Sequence, residues 1–307
     1  MKLSQLRALL AVADTGSFSE AAMQLGLSQS SVSESITALE KHLNVSLLLR
    51  GRAGARLTSA GEQVVVHART ALRAISSIEE EVVLLQGKIE GTLNISTFRS
   101  IASHVVPRIM QRVRQDHPGL HIQLIESQIC DVPHLLQPLD DGRADLAFVP
   151  QARTENHLSW KLLDDPYDAL VPAGSIQREV VTLQDLTRQP LMVWKEGDCA
   201  ERIAGYLKKH QLNPPEIIRV QDDFTMYNLV AQNLGMCLAP RLTLDYVPHG
   251  AEILPLQEPL NREICLAVRP GGLRIPAVRY FIQQLKKLLP ASGLPDLDVQ
   301  QTPVNPS

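Results

Sequence analysis

The stretch from Ser17 to Leu43 constrains the fold of this chain more than any other. Ser17 and Glu20 have the spacing at which a hydroxyl and a carboxylate each bond a free backbone amide at the start of a helix. A short helix should begin here and end at Gly26, because glycine readily adopts the left-handed conformation that closes helices. Leu27 is expected to be buried in the turn that follows. The pattern predicts a helix, a tight turn and a second helix.

The second helix of this pair is predicted to have one apolar and one polar face. Ser28 is placed to cap it, since a serine hydroxyl can accept a bond from a first-turn amide. The apolar residues recur at the spacing of one buried stripe, namely Val32, Ile36, Leu39 and Leu43. The opposite face is short and polar, with Gln29, Ser30, Ser33, Glu34 and Thr37. Two interpretations remain open here: a helix-turn-helix that enters the major groove of DNA, and a helix pair in an ordinary bundle.

An arginine-rich segment follows the second helix. Residues 50–58 read RGRAGARLT, so two glycines mark a turn between arms that carry Arg50, Arg52 and Arg56. A small basic hairpin after a recognition helix is typical of a wing that contacts DNA phosphates. Between residues 41 and 73 six basic residues accompany one acid, Glu62, so this region is cationic although the chain has a net charge of −3.

A long helix is predicted next, capped by Thr58 and running to about Gln86. Its apolar residues alternate steps of four and three, at Val64, Ala68, Ala71, Ile75, Ile78, Val82, Leu85 and Ile89. A repeat of 3.5 residues predicts a helix that packs along a partner helix. Packing against its own domain is the alternative. Gly87 and Gly91 then bracket a hinge.

Strands alternate with helices from residue 91 to residue 289, which predicts parallel sheets with crossover helices in two successive units. One helix is predicted over Ser100–Gln115 and a short strand over Leu170–Pro172. Residues 290–307 have no periodic apolar positions, so we expect a disordered tail there.

Several classes of protein are disfavoured by the sequence. No run approaches the roughly 18 apolar residues of a membrane span, and the amino terminus lacks a signal-peptide pattern, so we expect a cytoplasmic protein without a membrane partner. The cysteines are scattered and should be free thiols without a metal site, at Cys130, Cys199, Cys237 and Cys265. The histidines have no catalytic spacing, so we do not expect an enzyme.

The segment GSFSEAAMQLGLSQSSVSESITALEKHLNVSLLLR, followed by LTSAG, resembles the amino-terminal domain of LysR-type transcriptional regulators. The resemblance is dense over roughly sixty residues and thin from there to Leu289. It implies an N-terminal all-α winged helix-turn-helix with a long linker helix, and a C-terminal α/β two-lobed effector domain like that of periplasmic solute-binding proteins. Five positions depart from the family's usual residues: Ala8, Ser30, Thr37, Asn44 and Leu48.

The resemblance also implies domain bounds. Residues 1–58 would form the winged helix-turn-helix DNA-binding domain, and residues 59–90 the linker and dimerisation helix. The effector-binding domain would span residues 91–289, with lobe I at 91–165 and 269–289 and lobe II at 166–268.

Contacts with DNA are expected from the polar helix face and the basic hairpin. Gln29 could make a bidentate contact to adenine, the serines could reach base edges or phosphates, and the arginines could hold phosphates. The candidate residues are Ser28, Gln29, Ser30, Ser31, Ser33, Thr37, Arg50, Arg52 and Arg56. For each serine, a capping or packing hydroxyl is the alternative.

An effector site is expected between the two lobes. Arg99 and Ser100 stand where a strand meets a helix start, which favours anions. The family's ligand-contacting positions correspond to Ser100, Ser127, Gln128, Ile129, Lys195, Phe224 and Thr225. The resemblance implies a small-molecule effector, often a carboxylate metabolite, and no cofactor or metal. A plain helix cap is the alternative role for Ser100.

The expected partners are double-stranded DNA, the effector, a second copy bound through the linker helix, and RNA polymerase where the protein activates. The family's typical assembly is a homotetramer. An alternative within the family is a thiol-based redox sensor, because Cys199 lies near a helix start that could lower its pKa. Peroxide-sensing relatives use a cysteine pair in this lobe. Effector, operator, target genes and the sign of regulation stay open.

Overall fold

The computed structural model describes residues 1–51, 54–85, 89–127, 129–151, 156–295 and 297, with the backbone alone for residues 50, 77 and 79–85. These residues form two compact units. The first is Met1–Ile89 with the segment Asp140–Ala144, and the second is Glu90–Leu139 with the chain from Asp145 onward. No helix in the described ranges is long and apolar enough to cross a lipid bilayer.

The first unit consists of four helices and a hairpin. The elements are α1 (Leu3–Thr15), α2 (Phe18–Leu25), α3 (Gln29–Leu43), β1 (Leu48–Gly51), β2 (Gly54–Leu57) and α4 (Ser59–Leu85). Of the predicted apolar stripe of α3, Val32, Ile36 and Leu39 are fully excluded from solvent, and Leu43 is half-buried against the same core. They share one core with α1 and with the start of α4.

The helix ends confirm most of the capping pattern. The hydroxyls of Ser17 and Ser28 accept bonds from first-turn amides, and Gly26 closes α2 with a φ of 64°. The Glu20 carboxylate was expected to accept the Ser17 amide, but this amide donates to Thr15 Oγ1 instead, at 3.2 Å. Leu27 is 51% exposed, so the prediction that it is buried is wrong. Its amide bonds the Ala22 carbonyl, which closes the turn with the backbone and leaves the side chain in solvent.

The hairpin is held rigidly on the helices. Glu40 Oε1 accepts hydrogen bonds from the amides of Leu47, at 2.7 Å, and Leu48, at 3.2 Å. The amide of Ala55 donates to the Gly16 carbonyl at 2.8 Å. These bonds connect both strands to the helix-turn-helix, so the hairpin has a fixed position relative to α3.

The long helix α4 has two parts with different surroundings. Thr58 caps it as predicted, because its hydroxyl accepts the Gly61 amide at 2.9 Å. Near the start, Val65 and Ala68 are buried in the core of the first unit, which is the packing given above as the alternative. Further along, Ile78 is 62% exposed. Ile89 lies beyond the helix end at Leu85 and is buried, so the apolar repeat does not extend to it. Of the predicted hinge between Gly87 and Gly91, residues 87 and 88 lie outside the described residues, and Gly91 is the first residue of the next strand.

The second unit alternates strands and helices. Its elements are β3 (Gly91–Phe98), α5 (Arg99–His104), α6 (Val106–Asp116), β4 (Leu120–Ser127), α7 (Val132–Asp140), β5 (Leu146–Val149), β6 (Leu158–Pro172), β7 (Leu191–Trp194), α8 (Asp198–Lys209), β8 (Ile217–Val220), α9 (Asp223–Ala231), β9 (Met236–Pro240), β10 (Ala251–Pro255), β11 (Asn261–Val268) and α10 (Pro276–Leu288). The helix predicted over Ser100–Gln115 is two helices, because Pro107 has no amide to continue the hydrogen-bond ladder.

The strands form two lobes that are joined by β6, which pairs with β11 on one side and with β9 and β10 further along its length. β3 pairs in parallel with β4 and β5 in lobe I, and β7 pairs in parallel with β8 and β9 in lobe II. β6, β10 and β11 pair antiparallel, which corrects the expectation of purely parallel sheets. β6 has 15 residues rather than the three predicted, because charged residues hide the pattern of its first half.

The assignment of residues up to 268 to lobe II is also wrong. Residues Cys265–Val268 of β11 pair with β5, so this strand belongs to the sheet of lobe I. A strand's pairing partner cannot be read from its own residues, which is why this boundary was missed.

The end of the second unit is ordered further than expected. The Gly293 amide donates to the Lys161 carbonyl at 2.8 Å, and Leu294 is 4% exposed. The predicted disordered tail is therefore wrong for residues 290–295, where a single leucine gives no periodicity to detect. Residues 296 and 298–307 of that prediction lie outside the described residues.

Two helical glycines should respond in opposite ways to alanine. A Cβ at Gly61 would lie 2.1 Å from the Leu47 carbonyl oxygen, whereas a Cβ at Gly205 would meet nothing within 4 Å. We expect Gly61→Ala to lower the free energy of unfolding by about 1–3 kcal/mol through overpacking. Gly205→Ala should raise it by about 0.5–1 kcal/mol, because alanine loses less backbone entropy in a helix. Urea unfolding followed by circular dichroism measures both, and a stable Gly61→Ala variant would contradict the close contact.

Candidate DNA interface and effector cleft

The first turns of α3 present an exposed polar surface. Ser28, Gln29 and Ser30 are exposed, and Ser31 is half-buried. The Ser28 hydroxyl caps the helix through the Ser31 amide and lies 2.9 Å from Ser30 Oγ and 2.8 Å from Ser31 Oγ. Gln29 Oε1 accepts a bond from Ser19 of α2 at 3.1 Å, which orients its side chain between the two helices. The Ser28 hydroxyl thus has a capping role, and within the described ranges the amide NH₂ of Gln29 has no hydrogen-bond partner, so it can donate to DNA.

The remaining DNA candidates are distributed over the same unit. Ser33 is half-buried and Thr37 exposed, both on the polar side of α3, and Arg56 is exposed on β2. Arg50 is described by its backbone alone, and Arg52 lies outside the described residues. Arg69, one of the basic residues counted above, pairs with Asp14 of α1. The fold therefore places the helix surface and Arg56 on one rigid unit.

A cavity of about 370 Å³ lies between the lobes of the second unit. Five of the predicted effector residues line it, namely Arg99, Ser100, Ser127, Ile129 and Lys195. Gln128 lies outside the described residues.

Two predicted effector residues on α9 do not line this cavity. Phe224 is 65% exposed and stacks on Tyr246 with 5.8 Å between ring centroids. The Thr225 hydroxyl donates to Asp222 at 2.9 Å. Asp222 and Asp223 line the cavity instead. The lining pair thus lies two residues before the predicted pair, at the N-cap and first residue of α9, and successive residues point about 100° apart around a helix axis.

The buried floor of the cavity is built around Arg262, which the sequence analysis missed. Arg262 is 2% exposed, lies at the start of β11 and lines the cavity. Its Nε and Nη2 donate to Asp165 Oδ2 at 2.9 and 2.7 Å, and Nη2 also donates to Ser100 Oγ at 2.9 Å. The guanidinium carbon lies 5.3 Å from the ring centre of Phe98. In the sequence, Arg262 is followed by Glu263 and then by the apolar run from Ile264 to Val268, which gives little sign of a buried role.

The role expected of Ser100 changes with this contact. Ser100 is the second residue of α5, and the capping position Phe98 has no side-chain cap, so the plain-cap alternative is wrong. Its hydroxyl instead accepts the bond from Arg262. Ser100 therefore connects the cavity floor to lobe I.

Arg99 is already neutralised across the cleft. Its guanidinium pairs with Asp223, whose carboxylate also accepts the indole N–H of Trp194 at 2.7 Å. The helix α5 has six residues, which gives it a weak dipole. Arg99 was expected to attract anions to this end of the cavity, but its positive charge is paired with Asp223.

The thiols of the cleft are not activated. Cys199 lines the cavity together with Cys130 from lobe I, a partner that sequence separation concealed. Burial raises the pKa of the Cys199 thiol, and the Arg262 guanidinium offsets part of this. Burial raises the pKa of Cys130 as well. The expectation that the helix start lowers the pKa of Cys199 is wrong, because desolvation outweighs it. Cys237 is fully buried in β9 and does not line this cavity.

The domain order corresponds to known protein families. The bacterial regulatory helix-turn-helix family of LysR type matches residues 3–62, and the LysR substrate binding domain matches residues 86–290. The chain is 35% identical over 291 residues to a probable HTH-type transcriptional regulator, LrrA, of Synechococcus elongatus, covering 94% of this chain and 98% of that one. It is 28% identical to a hydrogen peroxide-inducible genes activator of Dickeya chrysanthemi, covering 89% of this chain and 90% of the relative.

Solved structures have the same fold. Full-length OxyR of Pseudomonas aeruginosa, carrying a cysteine substitution, aligns with a TM-score of 0.76 at 21% identity over 97% of this chain and 99% of that one. Full-length CbnR in complex with its target DNA aligns with a TM-score of 0.66 at 19% identity over 94% and 99% of the two chains. The predicted fold class is thereby confirmed, and the chain belongs to the LysR family of bacterial transcriptional regulators.

Proposed function

We propose that this LysR-family regulator binds operator DNA through the exposed start of α3 and the basic hairpin. The observation that carries the proposal is the amphipathic α3. On its apolar side Val32, Ile36 and Leu39 are fully buried, while Gln29, Ser30 and Thr37 remain exposed on the other side. A helix presented in this way fits the major groove, where an amide side chain can read adenine. Arg56, together with Arg50 and Arg52 of the arginine-rich segment identified in the sequence, would contact phosphates and set affinity rather than sequence.

An effector bound in the interlobe cavity would control this activity. The cavity has room for a small metabolite, and its walls come from both lobes of the second unit. Binding would change the balance between lobe arrangements only if the effector has different affinities for them. The family's regulators are not enzymes, and we assign no catalytic role to this chain.

Self-association through α4 would bring two DNA-binding units to one site. The second half of α4 carries the exposed Ile78, with the half-buried Ile75 one turn before it. Both continue the predicted stripe along a helix of about 40 Å. A dimer built on α4, assembled into a tetramer, is our proposal for the assembly, with RNA polymerase as a partner where the protein activates. A chromosomal partner implies a cytoplasmic protein.

The redox alternative has less physical support. A sensor thiol reacts as a thiolate, and burial raises the pKa of both cleft thiols, so they are protonated at neutral pH. We therefore favour a bound effector over thiol oxidation as the signal.

Arg56 tests the DNA interface. We expect Arg56→Ala to weaken binding to all sequences and to lower the slope of log affinity against log salt by about 0.9, because one phosphate contact is lost. Anisotropy titrations with genomic fragments recovered by this protein measure both quantities. Arg108→Ala, an exposed arginine of α6, is the matched control and should change neither. An unaltered slope for Arg56→Ala would remove this residue from the interface.

Ile78 tests the dimer. We expect Ile78→Glu to raise the dissociation constant of the dimer by at least about tenfold, because it places a charge in an apolar helix contact. Sedimentation equilibrium gives this constant. Ser76→Glu, at another exposed position of α4, should leave it unchanged. Equal association of both variants would argue against an α4 dimer.

Ser100 tests the effector cleft. We expect Ser100→Ala to retain operator binding but to lose its response to added metabolites, because the Arg262 donor loses its acceptor. The response is measured as the change in operator affinity across a metabolite library. Ser103→Ala, at an exposed position of the same helix, is the control. A normal response from Ser100→Ala would place the effector elsewhere.

A further inference from the structure

The donor edge of Arg262 that faces away from Asp165 lacks a strong acceptor. A guanidinium has five N–H donors. Asp165 and Ser100 take the Nε donor and both Nη2 donors. Within the described part of the chain, the contact of Nη1 is the Cys199 sulfur at 3.6 Å, and sulfur is a weak acceptor. Buried donors are normally bonded to oxygen, so this edge of a fully buried cavity-lining residue is suited to an oxygen acceptor from a ligand.

The position of this donor edge is fixed. Asp165 holds the guanidinium through two bonds to one oxygen, and its other oxygen accepts the Leu242 amide at 3.0 Å. Phe98 lies against the guanidinium. A ligand oxygen would thus meet a preorganised donor without moving the arginine.

The charges around the rest of the cavity are mostly negative. Arg262 is balanced by Asp165, and Arg99 by Asp223. One cation is then left in the described lining, Lys195, together with three carboxylates, Glu126, Glu196 and Asp222. Hydrogen bonds from Thr225 and, to a lesser degree, the charge of Arg99 lower the pKa of Asp222, so it stays ionised at neutral pH. A purely anionic ligand could accept a hydrogen bond from Arg262, but these carboxylates would repel it.

We infer that the effector is a small zwitterion of the amino-acid type, with a carboxylate at Arg262 Nη1 and an ammonium group toward Glu126, Glu196 and Asp222. This inference rests on the proposed function of the cavity and names its ligand class. It replaces the simple carboxylate metabolite that the family resemblance implied, because two of the three cavity cations already have internal carboxylate partners.

The test uses the purified full-length chain under reducing conditions and the twenty standard amino acids as probes. Each amino acid is compared with its N-acetyl derivative, which lacks the ammonium group, and with the amine that lacks the carboxylate. Thermal shift identifies binders and calorimetry gives their dissociation constants. We expect at least one free amino acid to bind, with its two derivatives each weaker by about tenfold or more, since each lacks one charged hydrogen bond.

Two variants separate the two ends of the ligand. Cys199→Ser gives Nη1 an internal oxygen acceptor, so it should weaken the amino acid several-fold but leave the amine unaffected. Glu126→Gln combined with Glu196→Gln should weaken the amino acid but not its N-acetyl derivative. Glu179→Gln, at an exposed position that does not line the cavity, is the matched control.

The inference is overturned if no amino acid binds at millimolar concentration, or if an N-acetyl derivative or succinate binds as tightly as any free amino acid. Operator binding is measured on the same preparation. A chain that binds DNA and responds to succinate alone would remain a regulator with a different ligand class. A chain that binds an amino acid but no DNA would instead contradict the proposed function.

Discussion

The buried ion pair between Arg262 and Asp165 is the interaction on which the effector domain depends. Both side chains are almost completely excluded from water, a burial that is stable only when their hydrogen-bonding groups are well paired. The pair lies where β6 and β11 pass between the lobes, and it bonds Ser100 of lobe I and the Leu242 amide of lobe II. The same ion pair therefore forms the floor of the cleft and connects the two lobes.

Other polar contacts close the cleft around this pair. Arg99 meets Asp223 across the cavity, and the Asp198 amide of lobe II donates to the Cys130 carbonyl of lobe I at 2.7 Å. Arg202 of α8 donates to the Pro150 carbonyl at 2.8 Å. These contacts join the two lobes at the rim of the cavity.

The DNA-binding unit relies on a different constraint, the backbone geometry around its turns. The Gly16 carbonyl accepts a hydrogen bond from the Ala55 amide of the hairpin, and the Glu40 carboxylate accepts hydrogen bonds from the amides of Leu47 and Leu48. Local sequence signals of this kind were readable, so the helices, their caps and the wing were predicted from the residues. The lobe boundary and the length of β6 were not, because strand pairing joins residues far apart in the chain. At the start of α9 the cavity is lined by Asp222 and Asp223, two positions before the predicted Phe224 and Thr225, and only the orientation of the folded helix decides which pair faces the cleft.

The sequence by itself determined the amphipathic α3, its caps, the basic hairpin and the order of elements, because each depends on residues within a few positions of one another. Tertiary structure alone decided that Arg262 forms the cleft floor, that Cys130 lies in the same cavity as Cys199, and that Arg99 is neutralised by Asp223. These side chains come from separate strands and helices. Only folding brings them together, and whether a charged side chain is free to bind a ligand depends on which groups it contacts in the folded chain.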